Sequence, residues 1–393
     1  MAKPIKRIGV LTSGGDCAGL NAVIRAVAYR AIRTYGWEVF GIVDGTMGLM
    51  NRPLQYRTLD LHFFTGNHLR EGGTMLGTTN KGDPFNFPMP DGSKKDRSQD
   101  FVEGVKLLGL DALVVIGGDG SMNIVSRLCA AGNIGMVGVP KTIDNDVHCT
   151  DTSVGFSTAA NVVTEALDRL QPTAASHHRV MILEVMGRDA GHIALNAGIS
   201  GGADVVLVPE VPYSLEGVAD KIKEVLHGEG RSHALVVVAE GCKTADGETP
   251  TISYAGGQKR YGGIGHYLTE HIADLTGAET RVTILGHVQR GGTPSMHDRL
   301  LASAFGVHAV DLVAQRKFGK MVAWRDRGVV EVPLDAVTIG PRSLDPNGTL
   351  MHTARGLGIY CGDFERLDDD AVSPDECGSA TPVDPNLAGP EKI

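Results

Sequence analysis

Leu113-Val-Val-Ile-Gly-Gly-Asp119-Gly-Ser121 and Met136-Val-Gly-Val-Pro-Lys141-Thr-Ile-Asp144-Asn-Asp146 follow one pattern. In each, a β-branched apolar run stops abruptly in small or turn residues and then in carboxylates. A run without polar alternation reads as a strand covered on both faces. In an open α/β sheet, ligands bind outside the carboxyl ends of such strands. Three aspartates beside glycine-rich backbone suit a site for Mg²⁺ and phosphate.

The same grammar extends along the chain. Apolar strands are expected at 7–12, 38–43, 112–117, 135–139, 179–185, 204–208, 234–239 and 281–286. Between them, Leu20, Val23, Ile24, Val27, Ala31 and Ile32 recur at helical spacing, as do Ala159, Val162, Val163, Ala166, Leu167 and Leu170. Strand–helix alternation of this kind gives an α/β fold with parallel sheets. Its presence in both halves is compatible with two similar α/β domains. Residues 78–97 break the pattern and read as a long surface loop, a candidate flap over the site. Residues 243–263 form a second polar, glycine-rich loop.

At 393 residues the chain has room for two domains. The net charge is −9, but 362–393 hold nine acids and two bases. The rest of the chain is therefore near neutral, which removes a basic field for nucleic acid. The tail from about Ala371 reads as disordered. Met1–Arg7 lead straight into a strand with no signal-peptide core, and no apolar run spans a bilayer. The expectation is a soluble cytoplasmic protein. Six cysteines without metal spacing read as free thiols.

Thr12-Ser-Gly14-Gly15-Asp16 follows the first strand and precedes the first long helix. Its glycines let backbone N–H groups face a phosphate at a helix N-terminus, or simply make a tight strand–helix turn. Gly117-Gly118-Asp119-Gly120-Ser121 repeats the arrangement, with a helix expected near Ser121 and Asp119 as anion-site carboxylate or as its cap. No Walker loop or dinucleotide fingerprint occurs. In Lys141-Thr142-Ile143-Asp144-Asn145-Asp146, an extended backbone would turn both carboxylates to one side. One could then accept a hydroxyl proton while the other helps hold a metal; a structural turn is the alternative. Arg179, Arg188, Arg281, His287 and Arg290 sit at strand edges, where arginine forks suit a sugar phosphate, or else make surface ion pairs.

Taken in order, T-S-G-G-D, G-G-D-G-S, P-K-T-I-D-N-D, E-V-M-G-R and G-H-V-Q-R-G-G resemble the 6-phosphofructokinase family over about 7–320. The resemblance implies two Rossmann-like three-layer domains with mostly parallel sheets and an active site in the cleft between them. The donor domain would be 1–155 plus 289–340, and the sugar-phosphate domain 156–288 plus 341–361. The implied reaction moves a phosphoryl group to the 1-hydroxyl of fructose 6-phosphate. Asp144 would be the base, and Asp119 and Asp146 would serve Mg²⁺. Gly15, Gly118, Asp119, Gly120, Ser121 and Lys81 would hold the donor. Thr142, Lys141 and Arg188 would serve the transferring group. Arg179, Met186, Gly187, Arg188, Glu240, Arg281, His287 and Arg290, with Thr142, Asp144 and Asp146, would hold the sugar phosphate. A homodimer or homotetramer is implied, with Arg179 and Arg281 crossing to a neighbouring subunit.

Donor choice falls on two residues. Pyrophosphate users in the family tend to carry aspartate after G-G-D and lysine before T-I-D-N-D; common bacterial ATP users carry glycine at both. This chain has Gly120 and Lys141. A carboxylate at 120 would occupy and repel the space of an α-phosphate, so glycine favours ATP over pyrophosphate. The common bacterial effector pocket uses two arginines on the first helix. Here one is Arg25, the second position is Tyr29 beside Arg30, and Asp204 stands in place of a glutamate.

Overall fold

Strands Arg7–Thr12, Ala112–Gly117 and Gly135–Thr142 run parallel at the centre of the larger of two main sheets in a computed structural model. The structure describes residues 4–64, 66–80, 82–253, 259–363 and 381–382. Alternation explains the layering. Ile8, Val10, Val114 and Ile116 enter a core with helices Leu20–Tyr35 and Met296–Ala314. Leu11, Leu113 and Val115 enter the opposite core, against helices Ser98–Leu108 and Asp119–Gly132. Successive side chains of a strand point to opposite faces, so an unbroken apolar run needs helices on both.

Strand order in the large sheet is Thr381–Pro382, Gly328–Pro333, Lys320–Arg325, Gly135–Thr142, Ala112–Gly117, Arg7–Thr12, Glu38–Ile42, Tyr56–Thr58. From Arg7–Thr12 the chain moves outward to Glu38–Ile42, then returns to Ala112–Gly117 on the other side. The crevice at that reversal is where the Ser13–Gly15 and Gly118–Ser121 loops emerge. The second sheet has four parallel strands in the order Val205–Leu207, Ala234–Ala239, Val180–Val185, Thr280–Ile284. Helix Leu20–Tyr35 ends at Gly36, whose φ of 66° is the left-handed turn that suits glycine.

The fold class is the expected one, α/β with two mostly parallel sheets. Several local expectations need correction. The 78–97 stretch is not structureless: it holds the short helix Pro84–Asn86 and the paired strands Phe87–Pro88 and Lys94–Lys95. The strand pair Lys320–Arg325 and Gly328–Pro333 went unexpected. The Asp119 helix begins at Asp119 rather than Ser121, and no side chain caps it. Cys17, Cys129, Cys242 and Cys361 are free thiols, but Cys149 is disulfide-bonded, against expectation. Spacing along a chain does not reveal which thiols meet in space. Cys377 and nearly all of the acidic tail lie outside the described residues. Thr381–Pro382 are described, and pair antiparallel with Val330 and Glu331. No helix among the described residues is long and apolar enough to cross a membrane.

Candidate active site

A cleft of about 270 Å³ opens at the carboxyl ends of the strands. The loop after Arg7–Thr12 brings Ser13, Gly14 and Gly15; the loop after Ala112–Gly117 brings Gly118, Asp119, Gly120 and Ser121. The end of Gly135–Thr142 adds Lys141 and Thr142, and the bend beyond it adds Asp144 and Asp146. From the second sheet come Arg188, just after Val180–Val185, and Arg290. Eleven residues singled out from sequence thus line one cavity, drawn from both halves of the molecule.

The bend differs from the extended form expected. Asn145 sits at φ 54°, a left-handed conformation uncommon outside glycine. Its side chain holds it there: Nδ2 donates to Asp151 O at 3.1 Å, and Oδ1 accepts the Ser153 N–H at 3.0 Å. Asp144 and Asp146 still face the same cleft, through a turn rather than through strand alternation. Thr142 links them. Its hydroxyl accepts the Asp144 N–H at 3.0 Å and donates to the Asp146 carboxylate.

Asp144 is 4% exposed, and its Oδ1 is buried without a hydrogen-bond partner. Burial, aided by the Asp146 charge, pushes its carboxyl up to about 6, while Arg290, Arg188 and Lys141 pull the other way. Burial also raises Asp146, with Asp119 adding to the effect. Glu240 is raised to about 7 by burial; its Oε1 accepts the Arg188 N–H at 3.2 Å. Arg188 itself holds φ 51°. Strain of this kind concentrates at functional sites.

Lys141 is 4% exposed, and burial lowers its affinity for a proton. Its Nζ donates to Gly15 O at 2.5 Å, tying the two donor-side loops together. Arg290 Nη1 donates to Asp16 O at 3.1 Å. A Cβ on Gly15 would stand 2.6 Å from that nitrogen, so Arg290 needs glycine at 15 to reach the loop. Gly120 is the opposite case: an added Cβ there would meet nothing within 4 Å.

Other singled-out residues lie elsewhere. Met186, Gly187, Glu240 and His287 do not line the cleft, although Glu240 abuts it through Arg188. Arg179 and Arg281 both pair with Glu279, at 2.8 and 2.5 Å, at the amino ends of their strands. Lys81 lies outside the described residues; its neighbours Asn80 and Gly82 line the cleft with Thr79, Asp83 and Pro84. Thr46 and Ile124 also line it and were not anticipated. Thr46 was findable, since Asp44-Gly45-Thr46 follows the strand Glu38–Ile42 just as the other loops follow theirs. No group of three or more His, Cys, Asp or Glu side chains forms a metal cage among the described residues. Asp119 and Asp146 are two carboxylates close enough to interact. Mg²⁺ fits such a pair, since it is usually held by one or two carboxylates plus substrate phosphates.

A family model described as phosphofructokinase matches residues 7–313. The chain is 58% identical over 359 residues to the ATP-dependent 6-phosphofructokinase 1 of Synechocystis sp., covering 91% of this chain and 99% of that one. It is 57% identical over 358 residues to the enzyme of the same name from Nostoc sp., with the same coverage. Among solved structures, phosphofructokinase from Saccharomyces cerevisiae superposes with a TM-score of 0.70 at 32% identity. That match covers 84% of this chain, which spans 45% of the yeast chain.

Proposed function

The chain belongs to the phosphofructokinase family, and from this we propose that it transfers the γ-phosphoryl group of ATP to the 1-hydroxyl of fructose 6-phosphate. The products are ADP and fructose 1,6-bisphosphate. The observation that carries this is Asp144, buried, with an unpartnered carboxylate oxygen, in one cleft with the Gly118–Ser121 loop. As general base, Asp144 takes the hydroxyl proton while the sugar oxygen attacks phosphorus and the bond to ADP breaks. A carboxyl raised to about 6 is still ionised at neutral pH, and is a stronger base than a free aspartate.

Arg188 and Lys141 place positive charge where the equatorial phosphoryl oxygens gain negative charge. Backbone N–H groups at the start of helix Asp119–Gly132, with that of Gly15, suit the donor phosphates. Asp119 and Asp146 would hold Mg²⁺, which supplies charge neutralisation at the donor phosphates when bound. Thr142 would hold the Asp144 backbone and the Asp146 carboxylate in place. Arg290 and Arg188, with Met186, Gly187, Glu240 and His287, would serve the sugar phosphate. The donor domain would comprise 1–155 plus 289–340, and the sugar domain 156–288 plus 341–361.

Arg179 and Arg281 support an oligomeric enzyme. A strand of six residues, about 20 Å of chain, separates Arg179 from Met186. Both arginines therefore point away from their own cleft and would serve that of a second copy. Among the described residues, the edge strand Thr280–Ile284 has no strand on its outer side. Ile284, Val288, Met296 and Leu300 stay exposed close to it in sequence. A homodimer or homotetramer would cover them. A glycolytic enzyme of this kind works in the cytoplasm.

Initial rates with fructose 6-phosphate and Mg²⁺ are to be compared for ATP and for pyrophosphate. Turnover with ATP is expected. Turnover confined to pyrophosphate would overturn the donor assignment and leave the transfer reaction standing.

A further inference from the structure

The chain crosses from one sheet to the other between helix Leu334–Val337 and helix Thr349–Gly356, and it touches both catalytic loops on the way. Arg342 makes most of these contacts. Its Nη1 donates to Thr150 O at 2.8 Å, its Nη2 to Asn145 O at 2.9 Å, and its backbone N–H to Asp146 O at 2.6 Å. Three carbonyls of the 145–150 loop thus end on one residue far away in sequence. Two positions on, the Leu344 N–H donates to Glu210 Oε1 at 2.8 Å. The same carboxylate accepts the Gly191 N–H at 3.0 and 3.1 Å. Gly191 follows directly on the Gly187–Ala190 turn that carries Arg188.

We infer that Arg342 is a positioning residue for phosphoryl transfer: it sets the Asp144–Asp146 loop and, through Leu344 and Glu210, holds that loop in register with the Arg188 turn. This rests on the proposed reaction. Arg342 does not line the cleft, so it acts through the loop rather than on substrate. The loop has reason to need a clamp, because Asn145 is left-handed. A guanidinium presents a planar fork that spans two carbonyls; a lysine ammonium is a single point and cannot replace it.

The test compares full-length wild type, Arg342→Ala and Arg342→Lys with ATP and fructose 6-phosphate. Misplacing a reacting group by about 1 Å costs on the order of a hundredfold. Both variants are therefore expected to lose roughly that much kcat, with each KM within about threefold. Millimolar guanidinium should restore about tenfold to Arg342→Ala and nothing to Arg342→Lys. If Arg342→Ala does not fold, Glu210→Gln reads the same strut, with kcat falling and KM held. A folded Arg342→Ala with near-wild-type kcat, or a parallel rise in both KM values, overturns the inference. Amide exchange over 144–150 without substrates separates the two claims. Faster exchange in Arg342→Ala supports the clamp even if wild type proves inactive, which would sink only the reaction. Unchanged exchange sinks the clamp.

Discussion

Asp144 shows how a functional side chain costs stability. Its folded carboxyl holds a proton up to about 6, against 3.8 for the free group. Between those values the folded state binds more protons than the unfolded one, so stability falls as pH rises from about 4 to about 6. Asp144→Asn removes that cost. Thermal melts should place it above wild type at pH 7–8, by on the order of 2–3 kcal/mol, with the gap closing below about pH 4. A variant no more stable than wild type would show that its charge is solvated. Activity runs the other way: Asp144→Ser should lose orders of magnitude in kcat with little change in KM, and a mild loss would remove it from the role of base. In wild type, kcat should fall on the acid side with a midpoint near 6, as the base becomes protonated. At Gly120 the open space around a hypothetical Cβ means that Gly120→Asp should fold normally. Its ATP kcat/KM is expected to drop at least about tenfold through repulsion between anions; unchanged kinetics in a folded variant would refute the repulsion.

The loops that end strands were legible because local sequence dictates them: an apolar run, a glycine turn, then a helix. The elements tying them to each other were not. Asp298, 0% exposed, accepts the Gly155 N–H at 2.9 Å, the Thr158 N–H at 2.7 Å and the Thr158 hydroxyl at 2.5 Å. It thereby fastens the start of helix Met296–Ala314 to the start of helix Phe156–His177, across 140 residues of chain. Asp298→Ala would leave buried donors unmet and should cost roughly 2–4 kcal/mol in chemical denaturation. A loss under about 1 kcal/mol would mean that water replaces it. No local pattern marks Asp298, since a single aspartate near a helix start reads as an ordinary cap. The first-helix arginines show the same limit. Arg30 is spent on Asp311, at 2.7 and 3.1 Å, and Arg25 stacks on Tyr29 at 4.2 Å. Asp204 is bonded to Arg231 and to the Leu235 N–H.

The whole molecule is organised around a cleft that neither half completes, since Arg188 arrives from the second sheet opposite the donor loops. The proposed service of Arg179 and Arg281 to a second copy has a direct test. Asp144→Ser and Arg281→Ala homo-oligomers should each be nearly inactive. Mixed oligomers should recover a measurable fraction of wild-type activity, because some clefts then pair an intact Asp144 with an intact Arg281. No recovery after verified subunit exchange would place Arg281 in its own subunit's service. Sequence alone determined the α/β class, the strand-end loops and the identity of the acidic and cationic residues around phosphate, because periodicity and turn chemistry act over a few neighbouring residues. Only the tertiary structure decided that Asp144 is buried with an unpartnered oxygen and that Asn145 bends the loop. It also set Lys141 and Arg290 on the Gly15 loop and made Arg342 span the two sheets. The Lys141, Arg290 and Arg342 contacts join segments 126 to 274 residues apart, and such contacts exist only once the sheets have packed.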